Sequence, residues 1–159
     1  MSWDMVIVVD PDQDDAEYSF AAASMGRTCR AMTEAGMLVT VDPPVFRKAA
    51  EFGFTMDDLV RYYQAGPDSP DIPDAFYEMR RANQAARDRA VEQPTGIPAY
   101  KFASNDRWLV SPAEITAALA VYDGLAQAEQ DELFGSLGDW DGWIAFLRRA
   151  VDRRGFRVE

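Results

Sequence analysis

The chain has no histidine and a single cysteine, Cys29. The first absence removes the Ser-His-Asp triad, the Cys-His nucleophile pair and every histidine-bearing zinc site. The second rules out a disulfide within one chain and fits a reducing compartment. Lysine is scarce, at 2 residues against 14 arginines, a bias associated with GC-rich bacterial genomes. No apolar run approaches the ~18 residues of a membrane span. The short run Met5 to Val9 follows Asp4 and no basic residue, so it does not read as a signal peptide. A cytoplasmic protein is expected.

Positive charge is short overall. Lys and Arg number 16 against 27 Asp and Glu, a formal charge of −11. Such a surface disfavours direct contact with nucleic acid, which needs cations to displace counterions, and with anionic lipid. The imbalance is uneven. Residues 1–20 hold six acids and no base; residues 108–147 hold seven, Glu114, Asp123, Glu129, Asp131, Glu132, Asp139 and Asp141, again with no base. Arginines gather at Arg80, Arg81, Arg87 and Arg89 and at Arg148, Arg149, Arg153, Arg154 and Arg157. The acidic stretches serve either as a solvating surface or as a face that steers a basic protein partner.

The length of 159 residues suits a single domain. Trp3 to Val9 reads as a strand buried on both faces at its far end. Residues 20–35 read as a helix with Phe20, Met25, Cys29 and Met32 on its stripe, stopped by Gly36. Met37 to Val41 is a short extended piece. Asp42 is placed as the cap of a helix running to Phe52. Thr55 and Asp58 open a helix over 56–65 whose inward residues are expected to be Leu59, Val60 and Tyr63. A Pro/Asp-rich connection near 66–73 leads to a polar helix over 74–92. Tyr100 and Phe102 alternate, Ser104, Asn105 and Asp106 make a turn, and Trp108 to Val110 return, the pattern of a β-hairpin. Ser111-Pro112-Ala113-Glu114 combines an N-cap, Pro at N1 and Glu at N3. Helices follow to Gly124 and over about 126–136. Asp139 caps the last helix, whose Trp140, Trp143, Ile144, Leu147, Ala150 and Val151 form the clearest stripe in the chain. Phe156 to Val158 end it as a strand. The expected fold is α+β, a small mixed or antiparallel sheet of about four short strands packed against six or seven helices.

Three constellations carry chemical interest. Asp10, Asp12 and Asp14 follow the first strand, and carboxylates at a strand end can aim at Mg²⁺, which needs few protein oxygens. That reading gives a Mg-dependent phosphoryl- or glycosyl-transfer enzyme using Asp10 and Asp12, with Asp106 as a distant further ligand. The stretch superficially resembles the first motif of haloacid-dehalogenase-type phosphatases, yet Gln13-Asp14 follows where that motif places Thr or Val. As an EF-hand loop it has Asp15 where Gly is needed and Ala21 where Glu is needed. An acidic solvated loop after a strand is the simpler reading. The second constellation is the turn, where Asn105 and Asp106 would form a recognition tip with Trp108 as an aromatic anchor. The third is the acidic helix with Glu129, Asp131 and Glu132. Cys29 reads as core unless a nearby guanidinium activates it. Trp140 and Trp143 at i, i+3 read as core before they read as a stacking platform.

The run from Gly96 through Ile115, with Lys101-Phe102-Ala103-Ser104-Asn105-Asp106-Arg107-Trp108, resembles a segment of an uncharacterised group of small actinobacterial proteins. Trp143 to Leu147 with Gly155 to Val158, and Met25-Gly26-Arg27 with Ala35 to Leu38, are similar to theirs. The resemblance covers about half the chain and carries no catalytic residue with it. It implies an intact single domain centred on its C-terminal half. The function expected is a non-enzymatic protein-binding module needing no cofactor. One form is an immunity or inhibitor protein that turns acidic surfaces toward a basic partner. A small-molecule pocket near residues 66–98, using Trp108 or Tyr100, is a further alternative. The sequence sets no oligomeric state.

Overall fold

A computed structural model describes residues 2–8, 17–65 and 69–159. The fold is α+β. The chain divides into two compact units, residues 1–43 with 90–159, and residues 44–89.

In the larger unit, β1 (Ser2–Ile7) pairs antiparallel with β2 (Glu17–Ala21), placing Trp3 opposite Phe20. Helix α1 (Ala22–Glu34) follows, then β3 (Leu38–Val39). After residue 90 come β4 (Ile97–Pro98), a 3-10 turn Ala99–Phe102 and β5 (Trp108–Val110). β3 and β4 form a separate two-stranded parallel sheet. The main sheet has the order β2-β1-β6-β5, all antiparallel, where β6 is Phe156–Val158. Its inward side chains alternate with period two: Met5, Ile7, Phe20, Trp108, Val110, Phe156 and Val158 are all buried.

The three helices α4 (Pro112–Gly124), α5 (Gln127–Phe134) and α6 (Trp140–Val151) complete this unit. The α6 stripe buries Trp140, Trp143, Ile144, Leu147 and Ala150 as read from sequence, adds Phe146, and leaves Val151 half-buried. Trp143, Phe146, Leu147 and Ala150 are at most 1% exposed, and each large apolar side chain so buried contributes about 1.5–3 kcal/mol. The starts of α4 and α6 follow the expected caps. Ser111 Oγ accepts from the Glu114 N–H at 3.3 Å and the Glu114 carboxylate accepts from the Ser111 N–H at 2.8 Å. Asp139 Oδ1 accepts from the Gly142 N–H at 3.2 Å.

The smaller unit holds a 3-10 turn Ala49–Phe52, α2 (Met56–Ala65) and α3 (Asp74–Arg87) around Tyr62, Ile72, Phe76 and Met79. Thr55 and Asp58 form the α2 cap: the Thr55 N–H and hydroxyl donate to Asp58 Oδ2 at 2.9 and 2.7 Å. Part of the 66–73 connection, residues 66–68, lies outside the described residues.

Five readings need correction. β1 buries one face only, with Val6 and Val8 half-buried between and beside buried Met5 and Ile7. Phe20 belongs to strand β2, and the helix starts at Ala22; the alternation of Tyr18 and Phe20 outweighs the run of alanines behind them. No helix starts at Asp42. A residue before proline is driven out of the α region, and this applies both to Asp42 and to Pro43, so regular structure waits for Ala49. On α2 the inward residues are Leu59 and Tyr62, while Val60 and Tyr63 are 49% and 61% exposed. Finally, Tyr100–Phe102 and Trp108–Val110 are not a hairpin: the first is a 3-10 turn and the second pairs with β6. The reason is Lys101. It is fully buried beside buried Phe102, and two consecutive inward side chains do not suit a strand with one buried face.

Candidate functional site

The expected metal ligands Asp10, Asp12 and Asp14 lie outside the described residues. Among the described residues, no group of three or more cysteines and carboxylates is placed to hold a metal ion. Asn105 and Asp106 are exposed at their turn, where Asp106 Oδ2 accepts from the Ser104 hydroxyl at 2.6 Å. Trp108 is not an exposed anchor. It is 4% exposed, its indole N–H donates to Ser104 Oγ at 3.1 Å, and Tyr100 meets its ring edge-on at 4.9 Å. Inward alternation on β5 turns this ring into the molecule, where it fastens the turn.

The acidic segment behaves differently. The α5–α6 connection brings Asp131, Asp139 and Asp141 around one depression of about 400 Å³. Tyr122 from α4, Phe134 from α5 and Trp140 from α6 supply its aromatic lining. Phe134 and Trp140 stack at 4.0 Å and 3°, and Tyr122 sits edge-on to both at 5.6 and 5.7 Å. No basic residue lines it. Of the constellation Glu129, Asp131 and Glu132, Asp131 alone belongs here. Glu129 turns back to cap its own helix, accepting from the Ala126 N–H at 2.9 Å, and Glu132 stays exposed outside the depression.

The three carboxylates are held in different ways. Asp131 Oδ1 accepts from Gln127 Nε2 at 2.8 Å. Asp139 caps α6 and also accepts from the Tyr18 hydroxyl, at 2.8 Å on its carbonyl and 3.1 Å on its carboxylate. Burial, followed by this carboxylate, pushes the Tyr18 phenol up to about 12, so it remains a protonated donor at neutral pH. Asp141 is exposed in the first turn of α6, where the helix dipole favours it. Asp123, the next acid along, is neutralised by Arg148 at 2.6 Å.

A second cleft, of about 170 Å³, lies on the other side of the 137–140 wall, lined by β2, α1 and α6. Tyr18, Phe20, Trp140 and Trp143 give it aromatic sides. The indole nitrogens of both tryptophans are buried and find no acceptor among the described residues.

The most deeply buried charges are elsewhere. Lys101 and Glu114 are both fully buried, and Lys101 Nζ donates to both Glu114 carboxylate oxygens at 2.8 Å and to the Leu109 carbonyl at 2.6 Å. Glu114 also accepts from the Val91 N–H at 3.2 Å. Neither residue lines a cleft described above, which assigns the pair to holding the 3-10 turn, β5 and α4 together.

Cys29 is half-buried, and burial pushes its thiol up to about 11. A raised value keeps the thiol neutral at pH 8, with a thiolate fraction about a hundredfold below that of an ordinary cysteine. Iodoacetamide should therefore alkylate the native protein at pH 8 at least about 30 times more slowly than the urea-unfolded chain. Equal rates would contradict the burial argument.

Compared with family models, curated proteins and solved structures, the chain matches none. Among the described residues, no helix is long and apolar enough to cross a membrane.

Proposed function

We propose that the protein is a non-enzymatic protein-binding module whose acidic depression receives a basic side chain of its partner. The observation that carries this reading is the depression itself: three carboxylates over an aromatic lining, with no cation among the lining residues. The carboxylates do not form a metal-ligating group. Their spread beside the half-buried Tyr122 suits a planar organic cation, which gains from carboxylate hydrogen bonds and from that ring. Arginine fits best, because its guanidinium is flat, weakly hydrated and offers five donors.

The surrounding charge supports the same reading. The larger unit carries 19 of the 27 acids and 9 of the 16 bases, so a basic partner is drawn toward it before contact. An immunity or inhibitor protein covering a basic active site is one form such a module takes.

The test is titration of an acetylated Gly-Arg-Gly-Arg-Gly peptide followed by NMR. Asp131→Asn with Asp141→Asn should weaken binding about tenfold, since neither carboxylate pairs with a cation of its own chain. Glu132→Gln, outside the depression, should leave affinity unchanged. Equal binding by the double variant and the parent would rule the depression out as the contact.

A further inference from the structure

The 170 Å³ cleft between β2, α1 and α6 has a feature the acidic depression lacks. One wall is aromatic and the opposite edge is polar. Tyr18, Phe20, Trp140 and Trp143 form the first; Ser24, Arg27 and Thr28 form the second. The spacing i, i+3, i+4 on α1 puts these three on one helix face.

Thr28 is the informative residue. It is 5% exposed and lines the cleft, and its hydroxyl is not among the buried side-chain atoms left without a partner. The other helical threonines, Thr33 and Thr116, are exposed and each donate to the carbonyl four residues back, at 2.8 Å. Thr28 instead faces a cleft. Arg27 beside it is exposed and has no ion pair among the described residues. The one carboxylate in the lining, Asp139, is already engaged by the Gly142 N–H and the Tyr18 hydroxyl. The polar edge therefore offers donors from Thr28, Ser24 and Arg27 to a ligand in the cleft.

Size narrows the ligand further. A cavity of about 150 Å³ accommodates a benzene ring, so 170 Å³ takes one ring and a small substituent. We infer that this cleft is a binding site for a small aromatic carboxylate, its ring against Tyr18, Phe20, Trp140 and Trp143 and its carboxylate on Thr28 and Arg27. This inference is separate from the proposed protein contact, because its deciding residues, Arg27 and Thr28, do not line the acidic depression.

The experiment uses three single-ring probes, benzoate, benzyl alcohol and benzylamine, titrated into the full chain and followed by tryptophan fluorescence and by the α1 amide signals. Benzoate should bind at about millimolar concentration or below. It should bind at least about tenfold more tightly than benzyl alcohol, with benzylamine weakest. Arg27→Gln should erase the preference for benzoate over benzyl alcohol. Thr28→Val, which keeps the side-chain shape, should weaken benzoate about threefold to tenfold while leaving the thermal midpoint near that of the parent. Absence of benzoate binding at about ten times that concentration would overturn the inference. So would equal or tighter binding of benzylamine, or an undiminished benzoate preference in Arg27→Gln.

Discussion

Lys101→Met should destabilise the protein by about 3–5 kcal/mol, the cost of leaving a buried carboxylate without its counter-ion. Glu114 is fully buried and its two oxygens face Lys101 Nζ at 2.8 Å each. Removing the ammonium leaves only the Ser111 and Val91 N–H groups on that carboxylate. It also strips the Leu109 carbonyl of its donor. For a chain of this length the loss corresponds to a fall of roughly 10–20 °C in the thermal midpoint. The double variant Lys101→Met with Glu114→Gln separates charge from packing. A neutral amide carries no buried charge, although its single oxygen accepts from only one of the two backbone N–H groups, so the pair should recover about 1 kcal/mol relative to Lys101→Met alone. Urea unfolding of the parent and the variants measures both quantities. A single variant within about 1 kcal/mol of the parent would contradict a dry, paired Lys101–Glu114 contact.

Gly155→Ala should be the second severe change, at about 3 kcal/mol or more. Gly155 has φ of +84°, where an L side chain is strained. A Cβ built there also overlaps the Val110 carbonyl oxygen of the neighbouring strand. The position is a junction. The Gly155 N–H closes α6 on the Ala150 carbonyl at 3.2 Å, and its own carbonyl accepts from the Val8 N–H at 2.9 Å. Relief of the overlap therefore requires movement of β6, which lies between β1 and β5 in the sheet. Gly124, by contrast, has open space at its Cβ position, and Gly124→Ala should change stability by less than about 1 kcal/mol. Comparable midpoints for the two alanine variants would remove the steric argument.

The helices were legible because their signals are local. Ser111, Pro112 and Glu114 specify a start through bonds that span three residues, and the α6 stripe repeats often enough to fix its buried face. The fold class followed from those signals. Strand partners were not legible in the same way. Tyr100 and Phe102 alternate like a strand, yet the choice between hairpin and 3-10 turn rests on Lys101 reaching Glu114, thirteen residues on. Nothing local marks that a lysine will be buried. Short amphipathic α2 shows a related limit: Leu59, Val60, Tyr62 and Tyr63 allow two apolar faces, and both tyrosines meet the Phe76 ring at 5.3 Å, yet only Tyr62 is buried.

The candidate site was legible in part. Counting charge over residues 108–147 found the acidic segment, but only the α5–α6 connection shows that Asp131 joins Asp139 and Asp141 while Glu129 does not. Glu129 sits at the third position of its helix, where a carboxylate turns back to the chain. That positional signal was present in the sequence. The opening of Thr28 into an aromatic cleft was not, because Trp140 and Trp143 are brought to it from a distant part of the chain.

The account stands most directly on whether the acidic depression recognises a guanidinium. The deciding measurement compares the Gly-Arg-Gly-Arg-Gly peptide with its citrulline counterpart, which has the same shape and no charge, at low and at near-physiological salt. The arginine peptide should bind at least about tenfold more tightly at low salt, shift the signals of Tyr122 and Trp140, and lose much of that advantage as salt rises. Equal affinities for the two peptides, or signal changes confined to other parts of the chain, would contradict it.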